Sequence, residues 1–151
     1  MTISIKGNAA YIAEKDFKPK IERCIKLLQT KDPASHTLID SYNLTIRAAA
    51  RSGANFQDKT IDIARLTFDA SDTWLASVLL HETIHFQQYK NKTYKAGLPA
   101  EKEANGYQLK TLRLIGAPAS EITYMTSQTG GHADLNGDGV YDWRDYQKRN
   151  Y

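Results

Sequence analysis

The segment that most limits what this chain can become is the run Trp74-Leu75-Ala76-Ser77-Val78-Leu79-Leu80, which leads without a break into His81-Glu82-Thr83-Ile84-His85. Ser71 or Asp72 can cap a helix here, and the pattern predicts one from about Thr73 to Lys90. A helix that is apolar nearly all round in its first half must be covered on most faces, so the rest of the chain has to build layers around it. With 3.6 residues per turn, His81 and His85 stack on one face and can bind one metal ion through their imidazoles. Glu82 then stands beside any water on that ion, the arrangement in which two His hold zinc and a Glu serves as general base. Polarity rises through Gln87, Gln88, Lys90 and Lys92, so the helix is expected to emerge into solvent just after His85.

The 151 residues are enough for one domain with a proper core. We expect a single domain over 1–151, with an N-terminal helix and sheet in 1–70, zinc-binding helices in 71–118 and a C-terminal segment in 119–151. Hydrophobic residues at 41% and charged residues at 25% exclude a disordered or low-complexity class. Twenty Lys plus Arg against 17 Asp plus Glu leave a net charge of +3, scattered along the chain, so no nucleic-acid partner is expected. Cys24 is the only cysteine; no intrachain disulfide can form, and among Ile21, Ile25 and Leu28 it reads as a small core residue. The run Trp74 to Leu80 falls far short of the roughly 20 residues of a membrane span. Met1 to Gly7 lacks the basic end and apolar run of a signal peptide, which implies a cytosolic protein or a leader removed before this numbering. A monomer is expected.

Ile3 and Ile5 alternate with polar neighbours as in a short strand. From about Asp16 to Thr30, Ile21, Cys24, Ile25, Leu27 and Leu28 recur at helical spacing, and Ala34 to Tyr42 reads as a short second helical or irregular piece. Leu44 to Ala49 and Lys59 to Leu66 read as strands joined through the turn residues Ser52-Gly53-Ala54-Asn55, which together predict an antiparallel hairpin. An exposed edge of it beside the metal helix could receive an extended peptide as a further strand.

A catalytic zinc site takes three protein ligands and leaves a position for water. The extended metzincin pattern would need Gly and His where Gln88 and Asn91 stand, which excludes it. The other solution is a Glu on a following helix, and a helix from about Pro99 to Ile115, stopped by Gly116 and Pro118, carries Glu101-Lys102-Glu103-Ala104-Asn105. Here residues 59 to 116 resemble the gluzincin group of zinc metallopeptidases, in which His-Glu-x-x-His is followed by a Glu ligand, often with Asp four residues on. The resemblance implies Glu101 as third ligand, with Asn105 in the Asp position accepting a hydrogen bond from a ligand His. Glu103 points to a different face of the helix and competes for the same role.

From Asp134 to Asp145, oxygen-bearing side chains fall at positions 1, 3, 5, 9 and 12 of a loop: Asp134, Asn136, Asp138, Asp142 and Asp145. Gly139 stands at the sharp turn, and Val140 at position 7 would give its carbonyl. This is the EF-hand spacing, and Asp rather than Glu at the last position resembles the calcium loops of dockerins. One loop without a pair is expected to be a structural calcium staple, filled where calcium is abundant, which argues for a secreted protein.

These readings predict an α+β fold: a small zincin-like domain, with a short antiparallel sheet on the active-site helix, a glutamate helix after it and an EF-hand-like loop at the end. The expected function is hydrolysis of peptide bonds with catalytic zinc and structural calcium, Glu82 as general base, and Tyr124 or His132 stabilising the oxyanion, with Tyr107 and Tyr141 also available. Protein, short peptide and peptidoglycan cross-link are all open as substrates. A competing class is a calcium-dependent binding module whose zinc site is structural, and a toxin or effector domain cut from a larger secreted protein would keep the same chemistry.

Overall fold

In a computed structural model, residues 3–94, 98–128 and 143–148 are described. The elements run β1 (Ser4–Lys6), α1 (Glu14–Lys31), α2 (Pro33–Ser41), β2 (Thr45–Ala48), β3 (Gly53–Asn55), β4 (Thr60–Ile63), α3 (Arg65–Asp69), α4 (Asp72–Lys90), α5 (Leu98–Leu114), α6 (Ala119–Ser127) and α7 (Trp143–Lys148). This is an α+β arrangement around a four-stranded sheet of order β1-β2-β4-β3.

The sheet is mixed, and the expected hairpin of residues 44–49 with 59–66 does not form. β2 and β4 pair in parallel, Ile46 opposite Ile61, and β1 joins β2 in parallel on the other side. The residues read as a turn, Gly53 to Asn55, are themselves a strand that pairs antiparallel with β4 at the sheet edge. Among the described residues the hairpin is β3–β4. Its reversal is fixed by Asn55, whose side-chain oxygen accepts from the Asp58 amide at 2.9 Å, and by Lys59 in the left-handed region at φ 54. β4 therefore sits between two partners, and all four of its residues are buried. The alternation of Ile61 and Ile63 suited either topology; what decides is that the turn chemistry lies at 55–59 rather than at 52–55. Strand β4 also ends at Ile63: Leu66 belongs to α3 and is exposed.

α1, α2, α4 and α5 match the expected helices to within about two residues at each end, while α3, α6 and α7 were not expected. Phe17, Ile21, Cys24 and Leu28 line one face of α1 and join Leu75, Leu79, Ile84, Ile46 and Ile61 in a single core. Cys24 is fully buried, as its neighbours suggested, and burial pushes its thiol up to about 12. α4 begins on Ser71, whose hydroxyl accepts from the Trp74 amide at 3.0 Å. Lys20 of α1 donates to the carbonyls of Phe68 and Ala70 at 2.5 and 2.6 Å, and Arg23 pairs with Asp72 at 2.9 Å. These contacts hold the entry to α4 against α1. α5 ends where Gly116 takes φ 75, as its Gly and Pro predicted, and α6 starts after Pro118. Among the described residues no helix is long and apolar enough to cross a membrane.

Candidate metal centre

α4 and α5 lie antiparallel and are fastened at two levels. Gln108 of α5 donates to Ser77 of α4 at 3.0 Å, and Gln88 of α4 donates to the carbonyl of Ala100 at 3.1 Å. Between these levels the two histidines of α4 meet Glu101 in the first turn of α5, where the helix dipole favours a carboxylate. His81 Nε2 lies 3.2 Å from one Glu101 oxygen, His85 Nε2 3.4 Å from the other, and the two Nε2 atoms are 3.1 Å apart. All three residues are buried, and one ligand atom from each falls within 4.8 Å of the others. This group can hold a metal ion. Glu103 is exposed and points away, so the side chain brought to the histidines is that of Glu101.

The donor set fits a cation. Two imidazole nitrogens and one carboxylate turned toward one another are the donor types that hold zinc and similar cations. His85 carries the signature of that crowding. Burial pulls its pKa down, but the hydrogen bond to Glu101, the charges of Glu82 and Glu101 and the bond to Gln88 outweigh it and push the imidazole up to about 9. A metal in the centre would take the place of that proton.

Gln88 corrects the expectation that α4 leaves the protein just after His85. It is 2% exposed, and its side-chain oxygen lies 2.8 Å from His85 Nδ1, where it accepts the Nδ1 proton of the tautomer that turns Nε2 toward Glu101. The signal was present in the sequence, since Gln88 is three residues from His85 and so shares its face. Asn105 is buried at 5% beside the site, yet neither of its amide atoms has a hydrogen-bond partner, and His81 Nδ1 has none either. The contact expected between Asn105 and a ligand histidine is not made.

Glu82 is 8% exposed and lines two clefts, each of about 660 Å3. One is shared with His85, Glu101 and Asp62 and has the edge strand β3 as a wall, followed by an aromatic group in which Phe56 stacks on Tyr89 at 4.4 Å. Tyr94 lines the same cleft, with its ring edge-on to His85 at 5.7 Å; sequence reading did not single it out, because its approach depends on how the chain turns back after α4. The other cleft carries His81 and Asn105 on its floor and apolar walls from α3, α4 and α6. Tyr124 stands in those walls, exposed and packed edge-on against Trp74 at 5.5 Å. Tyr107 is exposed on α5. His132 and Tyr141 lie outside the described residues, as do Asp134, Asn136, Asp138, Val140 and Asp142 of the expected calcium loop. The loop's last residue, Asp145, is fully buried in α7.

Comparison with known proteins found no matching family model, no matching curated protein and no matching solved structure. What the centre can do is therefore set by its own side chains.

Proposed function

We propose that this chain is a zinc-dependent peptidase of gluzincin type, with a zincin-like arrangement of β3, α4 and α5 and a calcium-binding loop at residues 134–145 that staples the C-terminal segment. The observation that carries the reading is the convergence of His81, His85 and Glu101 with Glu82 at the junction of two clefts. A structural metal site is closed by a fourth protein ligand; here three ligand-type side chains converge, and the next acid along α4 faces open cleft. When bound, zinc supplies Lewis acidity, acidifying a water and polarising an amide carbonyl.

The chain's own groups do the rest. Glu82 takes the proton of the attacking water and delivers it to the leaving amine. β3 is the last strand of the sheet and borders the centre, so its outer edge can pair with an extended substrate and lay the scissile bond across the ligands. Tyr94, in the same cleft as Glu82 and His85, is the phenol we assign to stabilising the oxyanion; Tyr124 is left as part of the apolar wall. A secreted location is part of the same reading, because a single loop of low affinity would fill where calcium is millimolar.

Purified protein should carry about one zinc per chain, lost in His85→Ala. Glu82→Gln should keep that zinc and lower casein hydrolysis by roughly 10²–10⁴. A wild-type chain that takes up no zinc when supplied, or a Glu82→Gln variant as active as wild type, overturns the reading.

A further inference from the structure

The peptidase reading leaves the second cleft without a task, and its chemistry is specific. Leu66, Trp74, Val78, Tyr124 and Met125 give it apolar walls, and Leu66 and Tyr124 are more than half exposed at 57% and 55%. Its floor is continuous with the metal centre through His81 and Glu82. At that floor lies Asn105, 5% exposed, with its side-chain oxygen and nitrogen both buried and unpartnered. A buried amide left unsatisfied is costly, and it offers one acceptor and two donors to whatever enters.

We propose that this cleft is the specificity pocket of the site and takes a tyrosine side chain of the substrate, next to the bond that is cut; this rests on the peptidase reading above. Tyrosine meets both features, because its ring packs on the apolar walls while its hydroxyl can donate to the Asn105 oxygen or accept from the Asn105 nitrogen. Phenylalanine satisfies the walls and leaves the amide orphaned. Alanine fills neither. Lysine and arginine find carboxylates in Glu82 and Glu121 at the edges of the cleft but bring no acceptor for the Asn105 N–H groups, which stay orphaned. The volume of about 660 Å3 is within the range of small-molecule sites and holds a large side chain together with adjoining backbone.

The test uses the zinc-loaded full chain in two measurements. Cleavage sites are first mapped in casein by mass spectrometry, and peptides around one site are then made with Tyr, Phe, Leu, Lys or Ala on either side of the cut bond. In parallel, zinc-loaded Glu82→Gln is titrated with N-acetyl-tyrosinamide and N-acetyl-phenylalaninamide. At one flanking position Tyr should be cut about tenfold faster than Phe, with Phe well ahead of Ala, and the tyrosinamide should bind about tenfold more tightly. Asn105→Leu should retain zinc, bring the Tyr-to-Phe ratio to about one and keep the advantage of Phe over Ala. Tyr124→Ala, at an exposed position that tolerates change, should reduce the advantage of both aromatics over Ala.

Wild type cutting Tyr, Phe and Ala peptides alike overturns the pocket and leaves the peptidase standing. Absence of cleavage together with preferential tyrosinamide binding keeps the pocket and removes the peptidase. Absence of both overturns both. If Asn105→Leu loses zinc while the Tyr-to-Phe ratio persists in excess zinc, Asn105 serves His81 rather than the substrate, and the proposal falls.

Discussion

The ring nitrogen of His85 facing Gln88 would govern how the centre holds a metal ion. With the Gln88 oxygen 2.8 Å from Nδ1, the proton is held there and the Nε2 lone pair is presented to the ion. Gln88→Ala should therefore weaken zinc binding about 10–100-fold in chelator competition, while far-ultraviolet circular dichroism stays unchanged. Proton and metal also compete for the same imidazole. In metal-free protein His85 is raised from 6.5 to about 9. A group raised on folding contributes stability that is fully present below its unfolded value and is lost as pH rises through its folded value. Metal-free protein should accordingly lose about 3 kcal/mol of unfolding free energy between pH 6 and pH 9.5, measured by urea titration in the presence of chelator. Zinc affinity should run the other way, increasing with pH until His85 is deprotonated. At this scale the sequence was informative where spacing places a side chain, as for His81 and His85, and the gluzincin resemblance pointed to Glu101 while leaving Glu103 as a competitor. It was silent on Tyr94, which no periodicity ties to the site, and it gave Asn105 a partner that the packing does not supply.

Among the elements, α4 depends on its first residues more than its apolar content suggests. Ser71 caps the helix at the Trp74 amide and also donates to Glu121 of α6, which Thr73 reaches at 2.7 Å. Ser71→Ala removes the cap and one bond to the helix that walls the apolar cleft. It should cost about 1 kcal/mol by chemical denaturation, with zinc content unchanged. The long helices were legible because each carries its own punctuation or period, Ser71 before α4, Gly116 and Pro118 after α5 and an unbroken period in α1, whereas the shorter α3, α6 and α7 were not foreseen. The sheet was less so. Short strands of four residues or fewer carry too little alternation to fix pairing direction, and Gly53 to Asn55, turn-like in composition, became a strand because β4 offered it an open edge. The difference bears on the proposed function, since this edge strand borders the candidate metal centre.

For the whole molecule, Cys24 offers a direct report of cooperative opening. Its thiol is fully buried, donates toward the Asp72 carbonyl at 3.5 Å and is pushed up to about 12, so a thiol reagent has neither access nor thiolate. Labelling should follow global unfolding of α1 from α4, and saturating zinc should slow it in proportion to ligand stabilisation, about a hundredfold at 100 times the dissociation constant. Labelling that is fast in folded protein and indifferent to zinc would show that α1 leaves the core without disturbing the metal helices. The antiparallel fastening of α4 to α5 bears on assembly as well. His81 and Glu101 stand twenty residues apart in sequence, whereas β1 reaches β2 across some forty. Closing the shorter loop costs less chain entropy, and its contacts form on faster timescales than parallel strand pairing. The ligand set thus depends on one pairing of two helices near in sequence, and an ion held there would lock α4 to α5 independently of the longer-range pairing of β1 with β2.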